Sequence, residues 1–284
     1  MAIETQRDQA TAAPDRAVSV DEHLKIRIHN PAATPTLIYF PGLHGDWTLV
    51  RGFRQALGAR ARFVEMTYPR TLIWSLDDYA AAIEKALAEH GISSGWLLGE
   101  SFGSQVAWAM LERKRFDANG MVLAGGFLRH PMPHGARLVE RLVSRIPVSF
   151  VKPILTAYQS IGRFRYRRSP EVLADLAEFV SRRTDLDRRA AEHRLRLVAE
   201  NDPRRVPQDV TLPVYALTGI LDPIVPWPWA RRELKRHCPT LREYRVLWRA
   251  DHTVLASAPR PAAAVVLSWV GGGDGPSPQG QPVP

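Results

Sequence analysis

The feature that most constrains this chain is an alternation: short apolar runs bounded by turn residues recur between segments whose apolar residues return at helical spacing. Runs and helices in that order bury both faces of a mostly parallel sheet, so the expected class is α/β, with helices on both faces of the sheet. The expected strands are LKIRIH, TLIYF, ARFVEM, GWLLGE, GMVLAGG, PVYALTG and REYRVLW. The expected helices are WTLVRGFRQAL, SLDDYAAAIEKALAEHG, SFGSQVAWAMLER, PWARRELKRH and PRPAAAVVLSWV, the second with Ser75 as N-cap and Gly91 as its stop. With 45% hydrophobic and 24% charged residues the chain has ordinary globular usage, which excludes disorder as a global description.

The alternation breaks between about 127 and 210, where only helical periodicity remains. Leu138, Val139, Leu142, Val143 and Ile146 share one helix face before Pro147 interrupts it. Ser169-Pro170-Glu171 and Thr184-Asp185 read as helix starts, the first leading into a face of Leu173, Leu176, Phe179 and Val180. Residues 127–210 are therefore expected to form a helical cap inserted into one domain spanning 21–270. The polar segment 1–20 and the Gly/Pro-rich segment 271–284 are expected to be disordered.

Cys238 is the only cysteine, so neither an intramolecular disulfide nor a thiolate zinc cluster can form, and no metal or organic cofactor is expected. A reducing compartment fits this usage. The N-terminus has no apolar core of a secretory signal, and no run of about 18 apolar residues reads as a membrane span. The expected location is the cytoplasm.

The sharpest motif is Gly99-Glu100-Ser101-Phe102-Gly103, a G-x-S-x-G string between an apolar strand run and a helix. Small residues around Ser101 permit the strained turn that lifts a serine Oγ above a sheet. Further on, PVYALTG leads into Gly219-Ile220-Leu221-Asp222-Pro223-Ile224-Val225-Pro226, and REYRVLW leads into Ala250-Asp251-His252-Thr253. In these strings, and in their order of serine, acid and histidine, the chain resembles the α/β-hydrolase superfamily over roughly residues 21–270, in the form of a capped serine hydrolase.

The resemblance implies Ser101 as nucleophile, His252 as base and Asp222 as the acid that orients it. Asp251 is a rival acid, but as the sequence neighbour of His252 its side chain normally points away from that ring. The implied oxyanion donors are the backbone N–H of Phe102 and that of Leu43, because Pro41-Gly42-Leu43-His44-Gly45 resembles the family's H-G-x-x-G loop with proline in place of histidine. His44 is a candidate substrate contact or, more blandly, a loop histidine bonded to backbone. Glu100 is a candidate support beneath the nucleophile. The chain lacks the family's glycine-rich stretch after the third strand, which sets it apart from the best-known lipase, C–C hydrolase and peroxidase branches. A serine at the elbow argues against the branches that need a carboxylate nucleophile.

The net charge is +9, and residues 127–170 hold nine basic residues against one acidic, a local net of +8. The run Arg163-Phe164-Arg165-Tyr166-Arg167-Arg168 concentrates four of them. One reading is a face toward anionic lipid or an acidic acyl carrier, beside Phe150, Ile154 and Tyr158 as candidate substrate-binding residues. Another is a solvated face in an arginine-rich protein. A nucleic-acid partner is disfavoured, because no recognised binding fold accompanies the run. The expected activity is cleavage of a small or acyl-chain carboxylic ester through an acyl-enzyme. The alternatives are a thioesterase or acyltransferase, and a non-enzymatic ligand-binding protein on the same fold.

Overall fold

The computed structural model describes residues 23–130, 170–181 and 183–271. Phe150, Ile154, Tyr158, the run 163–168, the helix face 138–146 and both expected disordered tails, apart from Gly271, lie outside those residues.

Seven strands form one sheet: β1 (Lys25–His29), β2 (Thr36–Phe40), β3 (Arg62–Thr67), β4 (Ser94–Glu100), β5 (Asp117–Ala124), β6 (Val214–Gly219) and β7 (Leu241–Leu247). Their spatial order is β1-β3-β2-β4-β5-β6-β7. Only β1 runs antiparallel to its neighbour, pairing Ile26 with Met66; every other pair is parallel, as Leu37 with Trp96 and Leu97 with Met121. Each of the seven runs read from the sequence corresponds to one of these strands, within two residues at every end except the start of β5, which begins three residues earlier than read.

The helices are α1 (Arg51–Leu57), α2 (Leu76–Glu89), α3 (Phe102–Arg113), α4 (Pro170–Ser181), α5 (Asp185–Glu200), α6 (Trp227–His237), α7 (Val254–Ser257) and α8 (Pro259–Val270). The expected helix over WTLVRGFRQAL divides into a short 3-10 turn, Thr48–Val50, followed by α1. Ser75 caps α2 with a reciprocal box to Asp78, and Thr184 caps α5 in the same way with Asp187.

Alternating side chains on the central strands build two cores. On β2, Ile38 and Phe40 face α2, α3 and α6, while Leu37 and Tyr39 face α1 and α8. On β5, Met121 and Leu123 take the first side, and Val122 and Ala124 the second. All eight are fully buried, which is why these strands read as continuous apolar runs and not as alternating ones. Polar function is thereby pushed to the loops at the strand ends. In open α/β sheets those at the carboxyl ends carry ligands.

Candidate active site

Ser101 follows the last residue of β4 and precedes α3. Its φ of 50° places a non-glycine residue in a left-handed conformation, at a cost of about 1–3 kcal/mol that the surrounding fold must hold. Gly99 and Gly103 allow the turn. A Cβ on Gly103 would lie 2.1 Å from the Phe40 carbonyl oxygen, and one on Gly99 2.8 Å from Ser104 Cα. The helix thus starts pressed against the strand ends, and its first N–H groups lie beside the serine.

Two other strand ends supply the partners. His252, beyond β7, has Nε2 2.8 Å from Ser101 Oγ, and its Nδ1 is 2.8 Å from Asp222 Oδ2. Asp222, beyond β6, has a fully buried side chain whose Oδ1 accepts hydrogen bonds from the Ile224 and Val225 N–H groups, each at 2.8 Å. The carboxylate is thus fixed from three directions, and with Nδ1–H donated to it the ring presents Nε2 to the serine as an acceptor. Asp251 turns away from the ring: its Oδ1 accepts from Thr253 N–H at 3.0 Å and from Thr253 Oγ1–H at 2.9 Å.

The loop after β2 closes on the same point. A Cβ on Gly42 would lie 3.5 Å from Ser101 Cβ, so the Gly42–Leu43 peptide runs directly past the serine. The Gly45 N–H donates to the Gly42 carbonyl at 2.9 Å, which folds residues 42–45 into a turn.

His44 sits against the same space. Its Nδ1 would be 3.3 Å from that Gly42 Cβ, its ring meets Phe179 of α4 edge to face at 5.7 Å, and its Nε2 is buried with no hydrogen-bond partner. The bland reading of a ring bonded to backbone fits its bond to the Asp46 backbone but does not account for Nε2. Burial, reinforced by Arg183 and Arg194 and opposed by Asp46, lowers its pKa to about 4, so the imidazole is neutral. Burial would raise the Asp46 carboxyl, but His44, Arg183 and the Thr48 N–H together hold it down at about 2.

Beneath the serine, Glu100 is buried, accepts the Tyr39 hydroxyl on Oε2 at 2.5 Å and leaves Oε1 unpartnered. Desolvation raises its pKa to about 7, against the bond from Tyr39 and the nearby His252. The Tyr39 pairing and two arginines, Arg183 and Arg194, were not singled out from the sequence. Arg194 had a readable signal: it stands four residues from both Ala190 and Val198, on the buried stripe of α5. Among the described residues no cluster of His, Cys, Asp and Glu could hold a metal ion, and no helix is long and apolar enough to cross a membrane.

A mostly parallel seven-stranded sheet with a serine at a strained strand-to-helix turn, and an acid and a histidine on later strand ends, defines the α/β-hydrolase class. Within it, the chain belongs to the serine aminopeptidase, S33 family, whose model matches residues 65–257, more than half of the chain. Solved structures share the fold at low identity. A thermophilic esterase from Thermogutta terrifontis is 19% identical with a TM-score of 0.69, over 87% of this chain and 92% of that one. A hydrolase from Pseudomonas aeruginosa is 14% identical with a TM-score of 0.72, over 87% and 94%. An enol-lactonase from Burkholderia xenovorans is 14% identical with a TM-score of 0.71, over 87% and 96%. No curated protein matches the chain significantly.

Proposed function

We propose that this α/β hydrolase cleaves a carboxylic ester of a small or acyl-chain substrate through an acyl-enzyme on Ser101. The observation that carries the reading is the unbroken chain of hydrogen bonds from Ser101 Oγ through His252 to Asp222, at 2.8 Å each. Ser101 Oγ attacks the carbonyl carbon as its proton passes to His252 Nε2, and Asp222 stabilises the resulting imidazolium. The carbonyl oxygen, now an oxyanion, is held by the Leu43 and Phe102 N–H groups. Collapse expels the alcohol, protonated by His252; water then attacks the acyl-enzyme as its proton passes to His252, which returns the proton to Ser101 Oγ as the acid is released. We take His44, with its unpartnered Nε2, as a substrate contact, and α4 and α5 as the described part of the expected cap.

The carboxylates described around Ser101 favour an ester over a peptide N-terminus. Asp46 is paired with Arg183, Asp222 with His252, and Asp251 with Thr253; the one unpartnered carboxyl oxygen beside Ser101, Glu100 Oε1, is buried beneath the serine on a group whose pKa is raised to about 7, a poor receiver for an α-ammonium group. The esterases among the structural neighbours agree with this choice.

The test is labelling with a fluorophosphonate followed by hydrolysis of matched oxygen esters, acyl thioesters and aminoacyl anilides. Wild type is expected to be labelled and to prefer the oxygen ester, while Ser101→Ala loses label and about 10^4-fold or more in kcat/KM. A Ser101→Ala protein that keeps its hydrolytic rate overturns the proposal, and a preference for thioesters or anilides replaces the substrate class.

A further inference from the structure

Arg194 projects from α5 into the interior with 2% of its surface exposed, and among the described residues no carboxylate pairs with it. A buried guanidinium without a counter-charge persists only where hydrogen bonds replace its lost hydration. Here Nη1 donates to the Leu43 carbonyl at 2.9 Å, Nη2 to the Pro69 carbonyl at 2.9 Å, and Nε to the Tyr79 hydroxyl at 3.3 Å. Gly45 makes room for it, since a Cβ there would lie 2.3 Å from Nη1.

Leu43 is the loop residue proposed above as an oxyanion donor, and its two flanking peptides are both held. The Gly42 carbonyl, in the same peptide as the Leu43 N–H, accepts from Gly45 N–H, and the Leu43 carbonyl accepts from Arg194. The loop is pinned further along: Gly45's carbonyl accepts from Tyr68 N–H at 2.7 Å, and Arg183 donates to the His44 carbonyl at 3.2 Å and to Asp46 at 2.5 Å. Arg183 and Arg194 both come from the segment between β5 and β6.

We propose that Arg194 is a positioning residue for the oxyanion loop: it fixes the peptide plane after Leu43, and so makes the direction of the Leu43 N–H depend on the seating of α5. The proposal rests on the Ser101 reading for its catalytic consequence. Its mechanical part, that Arg194 holds residues 42–46, stands apart from that reading and is tested apart from it. A donor that is aimed before the reaction contributes to the tetrahedral state more than to the ground state, so its loss falls on kcat.

The variants are Arg194→Met, which keeps length and loses every donor, and Arg194→Lys, which keeps the charge but reaches fewer carbonyls. Each is assayed for kcat and KM on a short activated ester, for inhibition by the matched trifluoromethyl ketone, whose adduct carries an oxyanion, and for amide exchange over 42–46. Arg194→Met is expected to lose about 100-fold in kcat with KM within about threefold, to weaken the ketone by the same factor, and to exchange faster over 42–46. Arg194→Lys falls between. A folded Arg194→Met with unchanged kcat and ketone affinity overturns the proposal, as does a loss confined to KM.

If Arg194→Met does not fold, Arg183→Met carries the test from a side chain 16% exposed. It is expected to give a smaller loss with the same split between kcat and KM, and no loss overturns the clamp. A wild type that hydrolyses no ester, with exchange over 42–46 still accelerated in Arg194→Met, overturns the hydrolase reading and upholds the mechanical part. Unaccelerated exchange beside an active wild type overturns the clamp alone.

Discussion

Glu100 stands one residue before the serine, buried, with only Tyr39 bonded to its carboxyl and a pKa raised to about 7 from an ordinary 4.5 by desolvation. The folded chain therefore binds this proton more tightly than the unfolded chain does. Its contribution to stability is fully present below about pH 4.5 and is lost as pH rises through about 7. A shift of that size corresponds to about 3 kcal/mol, so Glu100→Gln is expected to gain about that much on wild type between pH 4.5 and pH 8 in urea unfolding. His44, shifted the other way to about 4, loses stability as pH falls from 6.5 and does so equally in both proteins, so the difference isolates Glu100. Equal pH dependence in the two proteins would return Glu100 to an ordinary carboxyl. The contrast with Ser101, Asp222 and His252 shows what a sequence carries at this scale. Those three follow strand ends in a recognisable order, whereas the Tyr39–Glu100 bond joins residues 61 apart on neighbouring strands with no local signature.

Elements were legible wherever local chemistry and burial agreed. β2, β4 and β5 are covered on both faces and so spell unbroken apolar runs, and Ser75 announces α2 by its capping box. The role of α5 was less legible, because most of its surface is charged and its one buried arginine reads like the others until the Leu43 loop lies against it. Its start, however, is sharply specified: Thr184 Oγ1 accepts from Asp187 N–H at 3.2 Å, while Asp187 accepts from Thr184 N–H at 2.8 Å. Thr184→Ala is expected to cost about 1 kcal/mol of stability. If the helix seats the loop through Arg194, amide exchange over 42–46 rises along with exchange in the first turn of α5. A change confined to α5 would mean that the frayed end does not propagate to the site.

At the scale of the molecule, the sheet gathers Ser101, Asp222, His252 and the Leu43 loop at one edge, and the question left is how charge bears on reaching that edge. Nearly all of the net +9 falls within 127–170. The described surface carries a basic face, where Arg231, Arg232, Lys235 and Arg236 of α6 are exposed and, among the described residues, none of the four forms an ion pair. α6 begins five residues after Asp222, so the helix that carries this face follows directly on the loop that holds the acid. Charges so placed raise the local concentration of anions and speed their arrival, but exert little force on bond breaking across a Debye length of about 8–10 Å. The effect therefore belongs in kcat/KM of an anionic ester and not in kcat. Raising salt from about 20 mM to about 500 mM is expected to lower kcat/KM for an anionic ester about tenfold and to leave a neutral isostere unchanged, with kcat steady for both. An identical response from the two esters would make the basic surface a solvated face with no part in capturing substrate.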